Sequence, residues 1–506
     1  MADLEFLIVL LIVIAALARV ASRLNVPYPV FLVLGGLAIG FVPGLPEIEL
    51  EPDVVLLVFL PPLVYYAAFV SSPRMLRAHV RSIGLLSVGL VLTTLVIVAL
   101  VAHEIVGSLT WAEAFALGAI LGPTDPVAAT TVFRRLGAPE RLTTIVEGEA
   151  LVNDGTGLAA FRVAAGAITA GSISALEAGG QFFLSGVGGV LIGLAAAWLV
   201  TRVRRSIDDP PVEIALSLFT PYLAYLPADR LHTSGVLAAV TAGLFLAWQV
   251  PTGMFHAASR LQALAFWDVL MFLLNSLLFV LVGLQVQPVL EELGGKRSAL
   301  SLLGAALAVA AAVVLTRLAW TWFVDKLAGL SGPERLILGW CGMRGAVSLA
   351  AALAVPAEAP NKPLMLFLTF AVILVTIVGQ GLTLPTFVRR LAPDETGDRE
   401  AAEHHARLVA ARAALERLDA LQREHSAPED ALEHARRRYE IRLNHLEDGE
   451  DEEALPSARR LLRSLAETER EAIERLHIDG DLDQATARRL ERELDLEEAR
   501  LSEMER

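Results

Sequence analysis

Residues 146–161 read VEGEALVNDGTGLAAF and set Glu149, Asn153 and Asp154 inside an otherwise apolar run; GPTDPVAATTVF (122–133) sets Asp125 one run earlier. A charged side chain in hydrocarbon costs at least a few kcal/mol, so a chain that keeps two such acids is using them. Carboxylates are hard oxygen ligands for protons and small cations. Two near one another in a low dielectric cannot both ionise easily, so one tends to hold a proton until a cation arrives. The chemistry these residues point to is competitive binding of a proton and a cation, without bond making.

Gly122, Pro123 and Pro126 bracket Thr124 and Asp125. Pro126 has no N–H to give to a helix, and a break of this kind frees backbone carbonyls and exposes half-helix ends, the usual construction of a cation site at mid-membrane. Thr124 offers a hydroxyl or a carbonyl. Asn153 either donates to Asp154, ligates the cation or makes a plain interhelical bond. GWCGMRGAVSLA (339–350) carries a further intramembrane charge, Arg344, among three glycines that make this the best candidate for a second irregular helix.

The elements that must position these residues are membrane spans. The chain has 506 residues, is 55% hydrophobic and has a mean hydropathy of +0.55, well above a soluble globule. Apolar blocks of 18 or more residues fit spanning helices. They fall at about 4–21, 28–42, 53–70, 82–105, 112–133, 142–168, 180–203, 211–227, 233–250, 265–286, 298–323, 335–355 and 363–390. That is thirteen, with the proline-bearing 211–227 segment the weakest. The first lacks the basic flank and small-residue cleavage site of a secretory signal, so it reads as a retained helix.

Basic residues crowd the loops after odd-numbered spans: Arg19 and Arg23; Arg74, Arg77 and Arg81; Arg134, Arg135 and Arg141; Arg202, Arg204 and Arg205; Lys326 and Arg335; Arg389 and Arg390. The opposite loops are short and often acidic, as in GLPEIELEPD (44–53). By the positive-inside rule the N-terminus is expected outside and the C-terminus in the cytoplasm, with the protein in the cell's inner (plasma) membrane. One cysteine, Cys341, excludes an intrachain disulfide and a cysteine metal cluster. The organisation expected is a membrane domain over 1–392 and an acidic, helical cytoplasmic tail over 393–506. Residues 401–506 carry 28 acidic against 18 basic residues, so most of the net charge of −14 belongs to the tail and says little about the transported species. The helical pieces are 406–422 and 485–501, with 446–456 an acidic break. No feature suggests nucleic-acid binding.

Depth along the spans brings polar residues together. At about 1.5 Å per residue across a ~30 Å core, Asp154 and Asp125 both fall near the midplane, where they can face each other. Glu149 and Arg344 fall at matching shallower depths, which predicts a buried Glu149–Arg344 ion pair, a bracing strut in the favoured reading with Glu149 as a direct ion ligand the other. Asn275 is expected to hydrogen-bond between helices. Arg162 and Arg317 lie nearer helix ends and are expected to snorkel; His232 reads as a loop residue, not a pH sensor.

TDPVAAT (124–130), GEALVNDGTGL (148–158), GMRGAVSLA (342–350) and VGQGLTLP (378–385) together resemble the sodium/proton antiporters of the cation/proton antiporter-1 family, across about residues 1–390. RRLERELDLEEARL (488–501) also resembles the tails of bacterial members. The resemblance implies an all-α polytopic fold of about thirteen helices in inverted repeats with discontinuous helices, a homodimer, and elevator-like alternating access. It implies Asp154 as the essential ion- and proton-binding acid, with Asp125, Asn153 and Thr124 beside it, sodium held at Asp154 and Asp125, and Glu149 and Arg344 as a buried pair. An asparagine–aspartate pattern in that family goes with electroneutral one-for-one exchange. The implied partners are sodium or another monovalent cation, protons, the lipid bilayer and a second copy of the chain; no cofactor is implied beyond the transported ions, and no enzyme activity.

Two residues depart from the family pattern. Many relatives carry a glutamate after a motif like LPPLLFE in the third helix; here LPPLVYY puts Tyr66 there, near the midplane by the same depth count. A phenol does not replace a carboxylate as an ionised ligand at neutral pH, so the expectation at Tyr66 is a missing secondary ligand or an altered gate. Ala150 stands where some relatives have serine. Both leave the principal acids intact and bear on ion selectivity and pH dependence. The expected function is sodium (lithium) for proton exchange serving pH and sodium homeostasis, with potassium/proton exchange the main alternative. An intramembrane aspartyl protease is disfavoured because its GxGD motif is missing; a cation channel and a transporter-like sensor are the remaining rivals.

Overall fold

In the computed structural model the chain is described at residues 2–24, 26–43, 51–171, 174–207, 209–249, 257–293, 298–324, 327, 329–392, 396–424, 428–447 and a few positions between 468 and 475. Lys326, most of the acidic loop 44–53, the acidic break from 448 and the helical pieces expected at 485–501 and 488–501 lie outside the described residues. Backbone contacts divide the chain into two units, Met1–Asp394 and Glu395–Arg506.

Every regular element among the described residues of the first unit is helical. The helices are α1 (Ala2–Leu24), α2 (Tyr28–Gly40), α3 (Pro52–Val70), α4 (Val80–Ile105), α5 (Trp111–Leu121), α6 (Val127–Leu136), α7 (Glu140–Ala170), α8 (Ala175–Arg204), α9 (Pro210–Arg230), α10 (Gly235–Gln249), α11 (Ala257–Leu284), α12 (Ala299–Phe323), α13 (Gly332–Trp340), α14 (Ala346–Leu353) and α15 (Lys362–Leu391). Short helices Pro73–Ala78 and Val286–Leu293 lie in connections. Six of these are long and apolar enough to cross a membrane (α3, α4, α8, α12, α15 and the α11 segment), and α2, α5 and α10 are shorter apolar helices. On α8 the side chains of Phe183, Leu184, Leu191 and Trp198 are 68, 68, 61 and 62% exposed. Large apolar groups facing outward on a 30-residue helix make sense against lipid, not water.

The expected spans 112–133 and 335–355 are each split. α5 ends at Leu121 and α6 starts at Val127; α13 ends at Trp340 and α14 starts at Ala346. The first break follows from Pro123 and Pro126, and the second from the glycines around Arg344. The proline-bearing 211–227 segment is by contrast one continuous helix, α9, with Pro221 and Pro227 inside it. In α3, Pro62 cannot donate to the carbonyl four residues back, at Val58. That oxygen instead accepts the Tyr222 hydroxyl of α9 at 2.8 Å, the kind of repair from a neighbouring helix that keeps a proline tolerable in a membrane. His232 lies in the turn between α9 and α10 with a positive φ of 56°, as a loop residue.

Helix contacts depend on small residues. α2 crosses α11 so closely that a Cβ on Gly36 would meet Val280 Cα at 3.0 Å, and one on Gly283 would meet Leu37 N at 2.5 Å. In the second unit, α16 (Thr396–Arg423) and α17 (Glu429–Glu447) pair antiparallel, with Arg412–Glu447 at 2.7 Å and Arg436–Asp419 at 2.5 Å across the pair.

The close crossing gives a direct test. Gly36→Val forces α2 away from α11 and is expected to cost about 1–3 kcal/mol by overpacking, read as a lowered thermal midpoint by tryptophan fluorescence in detergent. Gly84→Val on α4, which has open space around the site, is expected to change it little.

Candidate ion-binding site

The two breaks meet. Asp125 N in the first donates to Met343 O in the second at 2.8 Å, so the irregular segments brace one another where neither can form helical bonds. Gly345 is a close-approach glycine: the Asp125 side chain occupies the space a Cβ there would fill, with Asp125 Cγ 2.7 Å away. Each break leaves a helix C-terminus whose carbonyls need donors. Two arginines supply them. Arg344 Nε donates to Leu121 O at the end of α5 at 3.0 Å, while its Nη1 donates to Gly342 O and its backbone N to Thr376 Oγ1 at 3.1 Å. Arg317 Nε, from α12, donates to Leu338 O near the end of α13 at 2.8 Å. A cation at a helix C-terminus is favoured by the helix dipole as well as by the hydrogen bond.

Asp125 turns the other way. Its Oδ1 accepts from Val127 N at 2.9 Å, capping the N-terminus of α6, where a negative charge is stabilised for the converse reason. Behind it runs a buried polar chain. Asn153 Nδ2 donates to Thr124 O at 3.1 Å and to Thr124 Oγ1 at 2.9 Å; Thr124 Oγ1 donates to Glu149 Oε1 at 2.9 Å. Arg317 then grips Glu149 with both terminal nitrogens, Nη1 to Oε1 at 2.5 Å and Nη2 to Oε2 at 2.8 Å. Asn153 Oδ1 is buried with no hydrogen-bond partner.

The Glu149–Arg344 pair expected from depth is therefore corrected: Glu149 pairs with Arg317, and Arg344 caps α5. Counting residues assumes a straight helix from the membrane surface, whereas Arg344 sits in the non-helical stretch 341–345 and is turned toward Leu121. Arg317, expected to snorkel, is fully buried. Arg162 does lie partly exposed, its side chain 41% accessible, paired with Asp229. Asn275 is a second correction, since it donates to Met271 O within its own helix at 2.9 Å and not across helices.

In front of this chain lies a cavity of about 370 Å³, with Asp154, Asp125, Thr124, Ala150 and Tyr66 on its wall. Glu149, Asn153 and Arg344 are buried behind it. Both acids are only half-buried, so they face the open space. Arg134 and Glu147, paired at 3.1 Å with the arginine 71% exposed, also line the cavity. Among the described residues no group hydrogen-bonds or ion-pairs with the Asp154 carboxylate. The arrangement thus sets a hydrogen-bonded strut of Thr124, Glu149 and Arg317 behind an acid that faces open space.

One residue at the site was misread in the sequence and one passed over. Arg317, expected to snorkel, carried the signal of a charge inside the apolar stretch 298–323. Asp268 was passed over, though it is the one acid in 265–286. It lines the same cavity and accepts the Tyr66 hydroxyl at 2.7 Å.

Crossed, broken helices holding unpaired acids beside a cavity in an apolar bundle define a multi-pass membrane secondary transporter. The chain belongs to the sodium/hydrogen exchanger family: the family model described as "Sodium/hydrogen exchanger, transmembrane" matches residues 8–390. It is 37% identical to an uncharacterized Na(+)/H(+) exchanger of Mycobacterium tuberculosis, over 97% of this chain and 96% of the relative. It is 34% identical to the Na(+)/H(+) antiporter ApNhaP of Aphanothece halophytica, over 82% and 79%. The solved structure of the sodium proton antiporter MjNhaP1 from Methanocaldococcus jannaschii shares the fold, with a TM-score of 0.65 at 20% identity, covering 77% of this chain and 98% of that one.

Breaking a buried ion pair by removing one partner costs about 3–5 kcal/mol. Arg317→Met is expected to lower the thermal midpoint strongly and Glu149→Gln/Arg317→Met to recover much of the loss. Arg344→Met leaves Glu149 paired and is expected to cost less. The reverse order of the two arginine variants would restore Arg344 as the partner of Glu149.

Proposed function

We propose that this protein exchanges sodium, and lithium, for protons by alternating access, with Asp154 as the acid for which both ions compete. The observation that carries the reading is the Asp154 carboxylate, exposed to the cavity and engaged by no described protein group, next to an Asp125 already committed to the α6 N-terminus. An acid with its own protein partner would have to lose that partner to bind an ion. Among the described residues Asp154 has none to lose.

Each residue then has a part. Asp154 carries the sodium ion or the proton. Asp125 adds a second carboxylate oxygen at fixed position, and Thr124, held by Asn153 and Glu149, keeps the first break in shape. The unpaired Asn153 oxygen is a further acceptor within the same chain of bonds. Glu149 and Arg344 serve structurally, with Arg317 as the true partner of Glu149. At the two breaks themselves, with all ionised, Asp125, Asp154 and Glu149 face Arg317 and Arg344, a net of one negative charge, which one sodium ion or one proton neutralises; Asp268 stands outside this set on the cavity wall. Moving the site across the low-dielectric layer is cheapest when neutral, which couples the two ions without a separate gate for each.

The basic loops support an orientation with the N-terminus outside, the C-terminus and the mouth of the cavity cytoplasmic, in the plasma membrane. Membership of the family supports a homodimer, and a span count near thirteen. In the state with the cavity open, ionised Asp154 takes sodium; after reorientation sodium leaves to the outside and a proton takes its place.

The test is proton flux in proteoliposomes carrying an interior pH dye, with voltage clamped at zero and sodium, lithium or potassium chloride added in turn. Sodium and lithium are expected to drive proton movement and potassium not. Asp154→Asn is expected to abolish exchange in protein that remains folded and inserted; full activity in that variant would refute the assignment. A potassium response would move the function to potassium/proton exchange, and silence with every cation would return the case to a channel or sensor.

A further inference from the structure

In the same cavity as the acids is a carboxylate that the exchange cycle above does not use. Asp268 on α11 and Tyr66 on α3 both line the space that holds Asp154 and Asp125. Tyr66 Oη donates to Asp268 Oδ1 at 2.7 Å. The phenol is held in that position from behind: its ring stacks on Trp267 at 5.2 Å between centroids and an interplanar angle of 4°, and Trp267, 2% exposed, donates Nε1 to Ser217 Oγ of α9 at 3.0 Å. Three helices therefore fix where the hydroxyl points.

That bond consumes the only proton Tyr66 can donate and leaves its oxygen lone pairs available. It also uses one of the two Asp268 oxygens. Among the described residues no arginine, lysine or histidine pairs with Asp268; the arginine that lines the cavity, Arg134, is taken by Glu147. A carboxylate this exposed keeps water around it, so a hydrated monovalent cation can approach without full desolvation. A carboxylate and a phenol oxygen held side by side, with no cationic side chain paired to them among the described residues, are a two-oxygen ligand for an alkali cation. The bland alternative is a hydrogen bond that only joins α3 to α11. It does not account for an acid kept on a cavity wall without a cation, where asparagine would make the same bond with no charge to solvate.

We infer that Asp268 and Tyr66 form a capture site that holds the incoming cation on the wall of the cavity it shares with Asp154, before it reaches the transport acid. This rests on the exchange reading above. The pair sets apparent cation affinity and takes no part in the stoichiometry. Tyr66 is then neither an empty ligand position nor a simple gate, but the residue that aims the Asp268 carboxylate into the cavity.

The experiment is a sodium titration of exchange in proteoliposomes for wild type, Asp268→Asn, Asp268→Glu and Tyr66→Phe, each checked for monodispersity and thermal midpoint. Loss of one Coulombic contact to the cation is expected to raise the sodium KM about fivefold in Asp268→Asn, with kcat unchanged. Asp268→Glu is expected to restore KM, and Tyr66→Phe to raise it by a smaller factor. An unchanged KM in Asp268→Asn alongside an active wild type overturns this inference and leaves the exchange reading intact. A fall in kcat at constant KM, or a raised KM shared equally by Asp268→Glu, assigns the pair a structural role and overturns it too. A wild type without sodium-driven flux overturns the exchange reading and this inference with it.

Discussion

A helix interrupted inside a membrane leaves carbonyls with no water to turn to, and the rest of this structure depends on how those carbonyls are satisfied. Arg344 takes the end of α5 and Arg317 the end of α13, and the backbone bond from Asp125 to Met343 ties the two breaks together. Without those donors each freed carbonyl would cost several kcal/mol in hydrocarbon. With them, a non-helical stretch at mid-bundle becomes stable enough to hold side chains still. The acids are where they are because the backbone around them is paid for.

The two arginines are not equivalent. Arg317 joins a carboxylate to a helix end, so its charge is matched by Glu149. Arg344 meets only dipoles and carbonyls, with one terminal nitrogen unpartnered. A buried guanidinium without a carboxylate of its own raises the electrostatic potential of the whole crossing. Polar satisfaction is uneven: behind the wall Thr124, Glu149 and Arg317 are hydrogen-bonded while Asn153 Oδ1 and Arg344 Nη2 are left over, and in front Asp154 has no partner among the described residues.

Much of this was legible in the chain. Long apolar blocks specify spanning helices through the cost of exposing the backbone to lipid, a local and additive property. Pro123 and Pro126 specify a break because they cannot donate, whatever surrounds them. Asp125, Asp154, Asn153 and Thr124 stood out because charge and amide inside an apolar run are costly on any reading. Glycines at 339, 342 and 345 marked the second break. The proline-bearing α9 was harder to read, since a proline is tolerated when a neighbouring helix or a kink absorbs the lost bond, and the sequence around Pro221 does not name that neighbour.

What the sequence by itself determined, then, is composition along the chain: which segments are apolar enough to form helices in hydrocarbon, which polar residues they carry, and where helices must stop. What only the tertiary structure decided is who meets whom at a given depth. Glu149 faces Arg317 and not Arg344, and Tyr66 meets Asp268 on α11, because helices rotate about their own axes and broken segments turn away from the straight rise that a depth count assumes. Depth is one coordinate, set residue by residue by transfer free energy. The other two come from packing of small residues such as Gly36 and Gly283 against distant backbone, and no local property of the chain contains them.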